Sequence, residues 1–127
     1  MGRVVATVAM CLCIASVATA QEWKAPDLAK VTSNPVAGAD GIKLGKPSYE
    51  KNCVLCHGVS GKGDGPAAAA LKPKPKNLAD KTIQGQADGE LFWKITEGRG
   101  VMPPFKTLTE RERWSLVHYL RALAGTK

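Results

Sequence analysis

Near the C-terminus, apolar residues recur at spacings of three and four. Trp114, Val117, Leu120 and Ala124 form one stripe, with Leu116, Tyr119 and Leu123 beside it. That is the repeat of an amphipathic helix. Thr109 and Glu112 precede the stripe as a capping-box pair, and Gly125 closes it. His118 shares a face with Arg111 and Ser115, so it is expected to face water. A second helix is predicted over "DGELFWKITEG", with Asp88 as N-cap, Gly98 as stop, and Leu91, Phe92 and Ile95 as its apolar face. A third is predicted to begin near Pro47, a residue suited to the first helical turn, and to end at His57-Gly58. Gly45, Tyr49, Cys53 and Cys56 lie four, four and three apart and share one face of it. Ala67 to Leu71 suits a short helix, and Pro73 and Pro75 then impose an extended segment. "GRGVMPPFKTL" is loop. No period-two run enriched in β-branched residues occurs, so the pattern predicts an all-α fold.

The chain has 127 residues, enough for one domain. Residues 1–20 carry Arg3, an apolar run and a small-residue end at Ala18-Thr19-Ala20. That layout reads as a secretory signal peptide cleaved after Ala20. Residues 21–40 contain Pro26, Pro35 and Gly38 without sustained periodicity and read as an irregular leader. The compact domain is placed at 41–127.

Cleavage removes Cys11 and Cys13 and leaves Cys53 and Cys56. So close a pair makes a poor structural bridge, because the loop it closes is tiny. Without Arg3, 17 Lys and Arg stand against 11 Asp and Glu, a formal charge of +6. Export and the lack of a basic patch interleaved with aromatics exclude nucleic acid as the partner. Gly61, Gly63 and Gly65 do not make a phosphate loop, because no strand precedes them and no Gly-Lys-Ser/Thr follows.

The chemistry concentrates in "NCVLCHG". A structural zinc site needs four ligands, and only Cys53, Cys56, His57 and His118 are on offer, two of them adjacent. A thioredoxin-like dithiol belongs beside a βαβ pattern that is missing here. Cys-x-x-Cys-His is the signature of covalent c-type haem. Each thiol adds its sulfur and hydrogen across a vinyl group, and His57 can turn its imidazole under the iron. A tethered macrocycle also enlarges a core that is thin for a domain this small. The second axial ligand falls to Met102, the one methionine left after cleavage. Its loop is stiffened by Pro103 and Pro104, and thioether sulfur suits low-spin iron. His118 is the rival for that position.

These residues resemble a class I monohaem c-type cytochrome of the bacterial branch over about Gly41 to Gly125. "CVLCHG" carries the resemblance, and "GKGDGP", "VMPPF" and "LTERERWSLVHYLRAL" follow the family's content and order. The resemblance implies a small all-α fold, with three to five helices wrapped around one haem c held by two thioethers. It implies that Gly45 and Tyr49 cross Leu116 and Tyr119 where the first and last helices meet. It also implies a proline carbonyl accepting a hydrogen bond from His57, with Pro75 favoured over Pro73.

With both axial positions filled, the expected role is a periplasmic one-electron carrier and not an enzyme. Leu71, Leu78, Ile83, Leu91, Phe92, Ile95, Val101, Phe105, Trp114 and Leu120 are the expected haem-facing and core set. Lys62, Lys72, Lys74, Lys76 and Lys106 are expected to steer redox proteins with acidic docking surfaces. The alternatives are a cytochrome subunit of a periplasmic dehydrogenase or membrane-associated respiratory complex, and a ligand-binding or peroxidase-like haem protein with a labile methionine bond.

Overall fold

The structure, a computed structural model, describes residues 22–125, so the expected signal peptide lies outside the described residues. Six α-helices follow in order among them: α1 (Asp27–Val31), α2 (Gly38–Asn52), α3 (Val54–His57), α4 (Lys81–Gln84), α5 (Asp88–Glu97) and α6 (Glu110–Gly125). A 3₁₀ turn covers Ala68–Ala70, where a short helix was expected. No strand occurs among the described residues, and the fold is all-α. Only α2, α5 and α6 are long, and α1, α3 and α4 are single turns of four or five residues.

Helix α6 is built as its pattern predicts. The Thr109 amide and hydroxyl donate to Glu112 Oε2 at 2.8 and 2.7 Å, and the Glu112 amide donates back to Thr109 Oγ1 at 3.2 Å. Trp114, Leu116, Val117 and Leu120 are buried. Helix α2 crosses α6 closely. A Cβ on Gly45 would lie 2.2 Å from the Ser115 carbonyl oxygen, so this crossing admits only glycine. Tyr49 is fully buried beside it, its ring 5.2 Å from that of Tyr119.

Helix α2 begins at Gly38, well before the start expected near Pro47, and Pro47 lies inside it. Pro47 has no N–H to give the carbonyl one turn back, at a cost of ~3 kcal/mol in a helix interior. Helix α2 packs on α6 and Tyr49 joins Leu116 and Val117 in one buried core; such burial, roughly 1.5–3 kcal/mol per side chain, offsets that cost. Packing here overrides a segment whose glycines and proline argue locally against a helix.

The leader is not irregular throughout. It contains α1 and the first turn of α2, and it lies along α5. Ala25 and Ala29 are buried. A Cβ on Gly89 would lie 2.1 Å from the Ala29 carbonyl oxygen, so leader and α5 meet backbone to backbone. Asn34 Nδ2 donates to the Trp114 carbonyl at 3.0 Å. His118 is not a water-facing residue: its Nε2 lies 2.7 Å from the Val36 carbonyl and its ring packs against Gly41. The leader occupies the side of α6 that sequence alone assigns to solvent.

Asp88 is the first residue of α5 rather than its N-cap. Ala87 caps, its amide donating to Glu90 Oε2 at 2.8 Å. Asp88 instead receives Arg121, whose Nη2 lies 2.8 Å from Oδ1. The same guanidinium donates from Nη1 to the Gln84 carbonyl at 2.8 Å and from Nη2 to the Gln86 carbonyl at 2.5 Å. One side chain thus ties α4 and the start of α5 to α6.

Candidate haem-binding site

Helices α2 and α3 are nearly continuous. The Cys53 amide donates to the Tyr49 carbonyl and the His57 amide to the Cys53 carbonyl, both at 2.8 Å. The helical geometry that puts Tyr49, Cys53 and Cys56 on one side is therefore retained through the join. Below it, the Tyr49 hydroxyl donates to the Gly58 carbonyl at 2.7 Å.

The "GKGDGP" loop then folds back on α3. The amides of Gly63, Gly65 and Ala67 donate to the carbonyls of His57, Cys56 and Leu55 at 2.9, 3.2 and 2.9 Å. These are the carbonyls that a helix end leaves without an internal partner. The loop's glycines serve this backbone pairing.

His57 is half-buried, and its Nδ1 lies 3.2 Å from the Lys76 carbonyl oxygen. Pro75 was the expected acceptor, and the structure shifts that role by one residue. The Leu78 amide donates to the Gly61 carbonyl at 2.7 Å and the Leu78 side chain is buried, which fixes the register of the segment. In that register the Pro75 carbonyl presses on Gly63 instead, where a Cβ would approach it to 2.3 Å. An Nδ1–H donated to a carbonyl leaves the Nε2 lone pair for a metal. Burial lowers the His57 pKa, with the hydrogen bond to Lys76 opposing it, so the neutral ring that ligation requires is favoured.

Cys53 and Cys56 are both unbridged and half-buried. Burial, reinforced by the neighbouring Cys56, pushes the Cys53 thiol up to about 12. A redox dithiol works through its thiolate, so this environment disfavours that chemistry. His118, held at Val36, does not join Cys53, Cys56 and His57.

Met102 sits in a short closed turn. Its carbonyl accepts from the Arg99 amide at 2.8 Å, and its amide donates to the Arg99 carbonyl at 3.0 Å. Beyond the two prolines, the Phe105 amide donates to the Ile95 carbonyl at 3.1 Å and returns the loop to α5. The Met102 side chain is half-buried against the core.

The expected core set divides. Leu78, Leu91, Ile95, Trp114 and Leu120 are buried. Ile83, Phe92 and Phe105, together with Cys53 and Met102, pack against that core but remain partly exposed. Val101 departs from the expectation and is 47% exposed, and Leu71 is half-buried but does not pack on this core. The partly open side chains fit a haem: two thiols, an adjacent imidazole, a thioether, and apolar surface that the chain does not cover by itself. Sequence reasoning missed the Lys76 carbonyl and the Arg99 pairing, since neither backbone role leaves a mark in residue type.

Comparison with known proteins follows the same lines. The family described as "Cytochrome C oxidase, cbb3-type, subunit III" matches residues 40–120. The cbb3-type cytochrome c oxidase subunit FixP of Bradyrhizobium diazoefficiens is 34% identical over 93 residues, covering 71% of this chain and 30% of FixP. Subunit CcoP of Azospirillum sp. is 33% identical over 99 residues, covering 72% of this chain and 31% of CcoP. The chain thus spans about a third of the length of these curated relatives. Among solved structures, a chain of the Kuenenia stuttgartiensis reducing HAO-like protein complex Kustc0457/Kustc0458 matches with a TM-score of 0.63 at 33% identity, over 70% of this chain and 46% of that one. The KustC0563 c-type cytochrome matches with a TM-score of 0.52 at 32% identity, over 62% of this chain and 95% of that one. The chain belongs to the cbb3-type cytochrome c oxidase subunit III family and is a class I c-type cytochrome, whose chemistry is haem c electron transfer.

Proposed function

We propose that this chain is a one-electron carrier outside the cytoplasm, with one haem c held by Cys53 and Cys56 and ligated by His57 and Met102. The observation that carries the reading is the imidazole held through Nδ1 at the Lys76 carbonyl, one residue after the paired thiols. Bound haem c supplies a reversible one-electron couple. The chain's own residues fix the rest. Cys53 and Cys56 supply the thioether sulfurs. The Lys76 carbonyl sets the His57 tautomer and strengthens its basicity. Met102 supplies a soft sulfur from a turn pinned at Arg99 and at Phe105. Ile83, Phe92 and Phe105, packed on the core but partly open, would lie against the haem and keep water from it. The sequence of residues 1–20 supports export to the periplasm.

Lys62, Lys72, Lys74 and Lys76 are exposed. The Leu78–Gly61 hydrogen bond and the contact of Pro75 with Gly63 zip their two segments together beside His57. This cluster of exposed lysines beside His57 suits an acidic redox partner. Lys106 stands apart from that role, since it pairs with Glu97 at 2.8 Å.

A second reading makes the chain a subunit of a membrane-associated respiratory complex. It is favoured by the matches to two oxidase subunits and to a chain of a HAO-like complex. No helix among the described residues is long and apolar enough to cross a membrane.

The test of the ligand set is Met102→Ala. The variant is expected to keep its covalent haem, fall in reduction potential and bind carbon monoxide when reduced, which the parent resists. An unchanged potential, or a parent that binds carbon monoxide as readily, contradicts the carrier reading in favour of an open-iron protein.

A further inference from the structure

The leader reaches the turn that holds Met102. From Thr32 and Ala29, which press on Gly89 at the start of α5, it runs the length of that helix. It arrives at Trp23, whose ring lies under Lys94 Nζ at 5.4 Å and under the Arg99 guanidinium carbon at 6.0 Å. Arg99 is the residue whose amide and carbonyl both pair with Met102. Lys94 is fixed in turn by donating to Gln86 Oε1 at 2.5 Å. One aromatic face therefore spans the last part of α5 and the first residue of the Met102 turn.

The outer side of that turn is open at its tip. Val101 is exposed, and a Cβ on Gly100 would meet nothing within 4 Å. The end of α5 lies behind the turn, Phe105 lies beyond it, the Met102 side chain packs on the core, and the Trp23 ring meets the turn across Arg99.

We infer that residues 22–36 form a strap that holds the Met102 turn closed, with Trp23 as a positioning residue acting through Arg99. The inference rests on Met102 being the axial ligand for its functional meaning. Its structural content, the coupling of Trp23 to the turn, is measured separately. A cation–π contact holds the Arg99 side chain, and the two backbone hydrogen bonds pass that restraint to Met102. When the strap is loose, the turn opens more often without the rest of the fold unfolding.

The experiment uses the full haem-loaded chain and compares Trp23→Leu, which keeps apolar bulk, with Trp23→Phe, which keeps a π face. Amide hydrogen exchange is followed at Arg99 and Met102, with Val117 and Leu120 of α6 as internal references. The expected result for Trp23→Leu is exchange about fivefold faster at Arg99 and Met102 with α6 unchanged, and recovery of most of that protection in Trp23→Phe. In parallel, the far-red sulfur-to-iron band of the oxidised protein should be displaced by less added imidazole in Trp23→Leu than in the parent. Unaltered exchange at Arg99 and Met102, or equal acceleration in α6, overturns the strap. If Met102→Ala leaves the far-red band intact, the ligand assignment fails, whereas the exchange result still decides the strap.

Discussion

The Tyr49 hydroxyl donates 2.7 Å to the carbonyl of Gly58, the residue after His57. The phenol is fully buried at the α2–α6 crossing, and burial raises its pKa, so it remains a donor at every physiological pH. Tyr49→Phe keeps the ring against Tyr119 and leaves the Gly58 carbonyl without that partner. The expected cost is about 1–2 kcal/mol in denaturant unfolding of the haem-loaded protein. A loss below a few tenths of a kcal/mol would show that water replaces the phenol without penalty.

Arg121 joins Asp88, the Gln84 carbonyl and the Gln86 carbonyl in one fork. A lysine has neither the planarity nor the number of donors to reproduce it. Arg121→Lys is expected to lose about 2 kcal/mol, close to the loss in Arg121→Ala. Thermal unfolding of the two variants side by side checks this. A lysine variant as stable as the parent would mean that charge alone suffices.

The cap of α6 gives a pH dependence of fixed sign. Hydrogen bonds from the Thr109 hydroxyl and amide hold the Glu112 pKa below the ordinary carboxylate range. A carboxylate lowered on folding stabilises the fold above its unfolded pKa, and that stability fades as pH falls through the folded value. Thr109→Ala is expected to cost about 1 kcal/mol at neutral pH. The gap to the parent should narrow below about pH 4. Urea unfolding of both proteins across the acid range tests it, and a pH-independent gap would assign the cap to the hydroxyl alone.

The lysines beside His57 predict a kinetic effect. Lys72→Glu combined with Lys74→Glu should slow electron transfer to an acidic partner at low salt and leave the reduction potential near the parent's. The difference should shrink as ionic strength rises, because exposed charges are screened within about 10 Å at 0.1 M. Stopped-flow rates indifferent to salt in the parent would remove electrostatic steering from the account.

What the sequence revealed followed locality. The capping pair Thr109–Glu112, the stripe through Trp114 and Leu120, and Cys53-x-x-Cys56-His57 each specify their structure within a few residues. Helix α2 escaped because Gly38, Gly41 and Pro47 argue against a helix, and α6 supplies the burial that settles it. The leader escaped because its contacts are backbone meetings, such as Ala29 against Gly89, that leave no periodicity. His118 read as solvated because the chain that covers it is distant in sequence. Lys76 took Pro75's place because hydrogen-bond register depends on the Leu78–Gly61 pairing, which composition does not encode.

The central claim is the covalent bond between haem and the paired thiols of Cys53, at the junction of α2 and α3, and Cys56, in α3. Mass spectrometry of the protein matured in a haem-lyase-competent periplasm, unfolded in acid–organic solvent and digested, tests it most directly. The account predicts the peptide containing Cys53, Cys56 and His57 carrying the full mass of one haem, with none extracted into the organic phase. A peptide of unmodified mass, with its thiols open to alkylation, would contradict it.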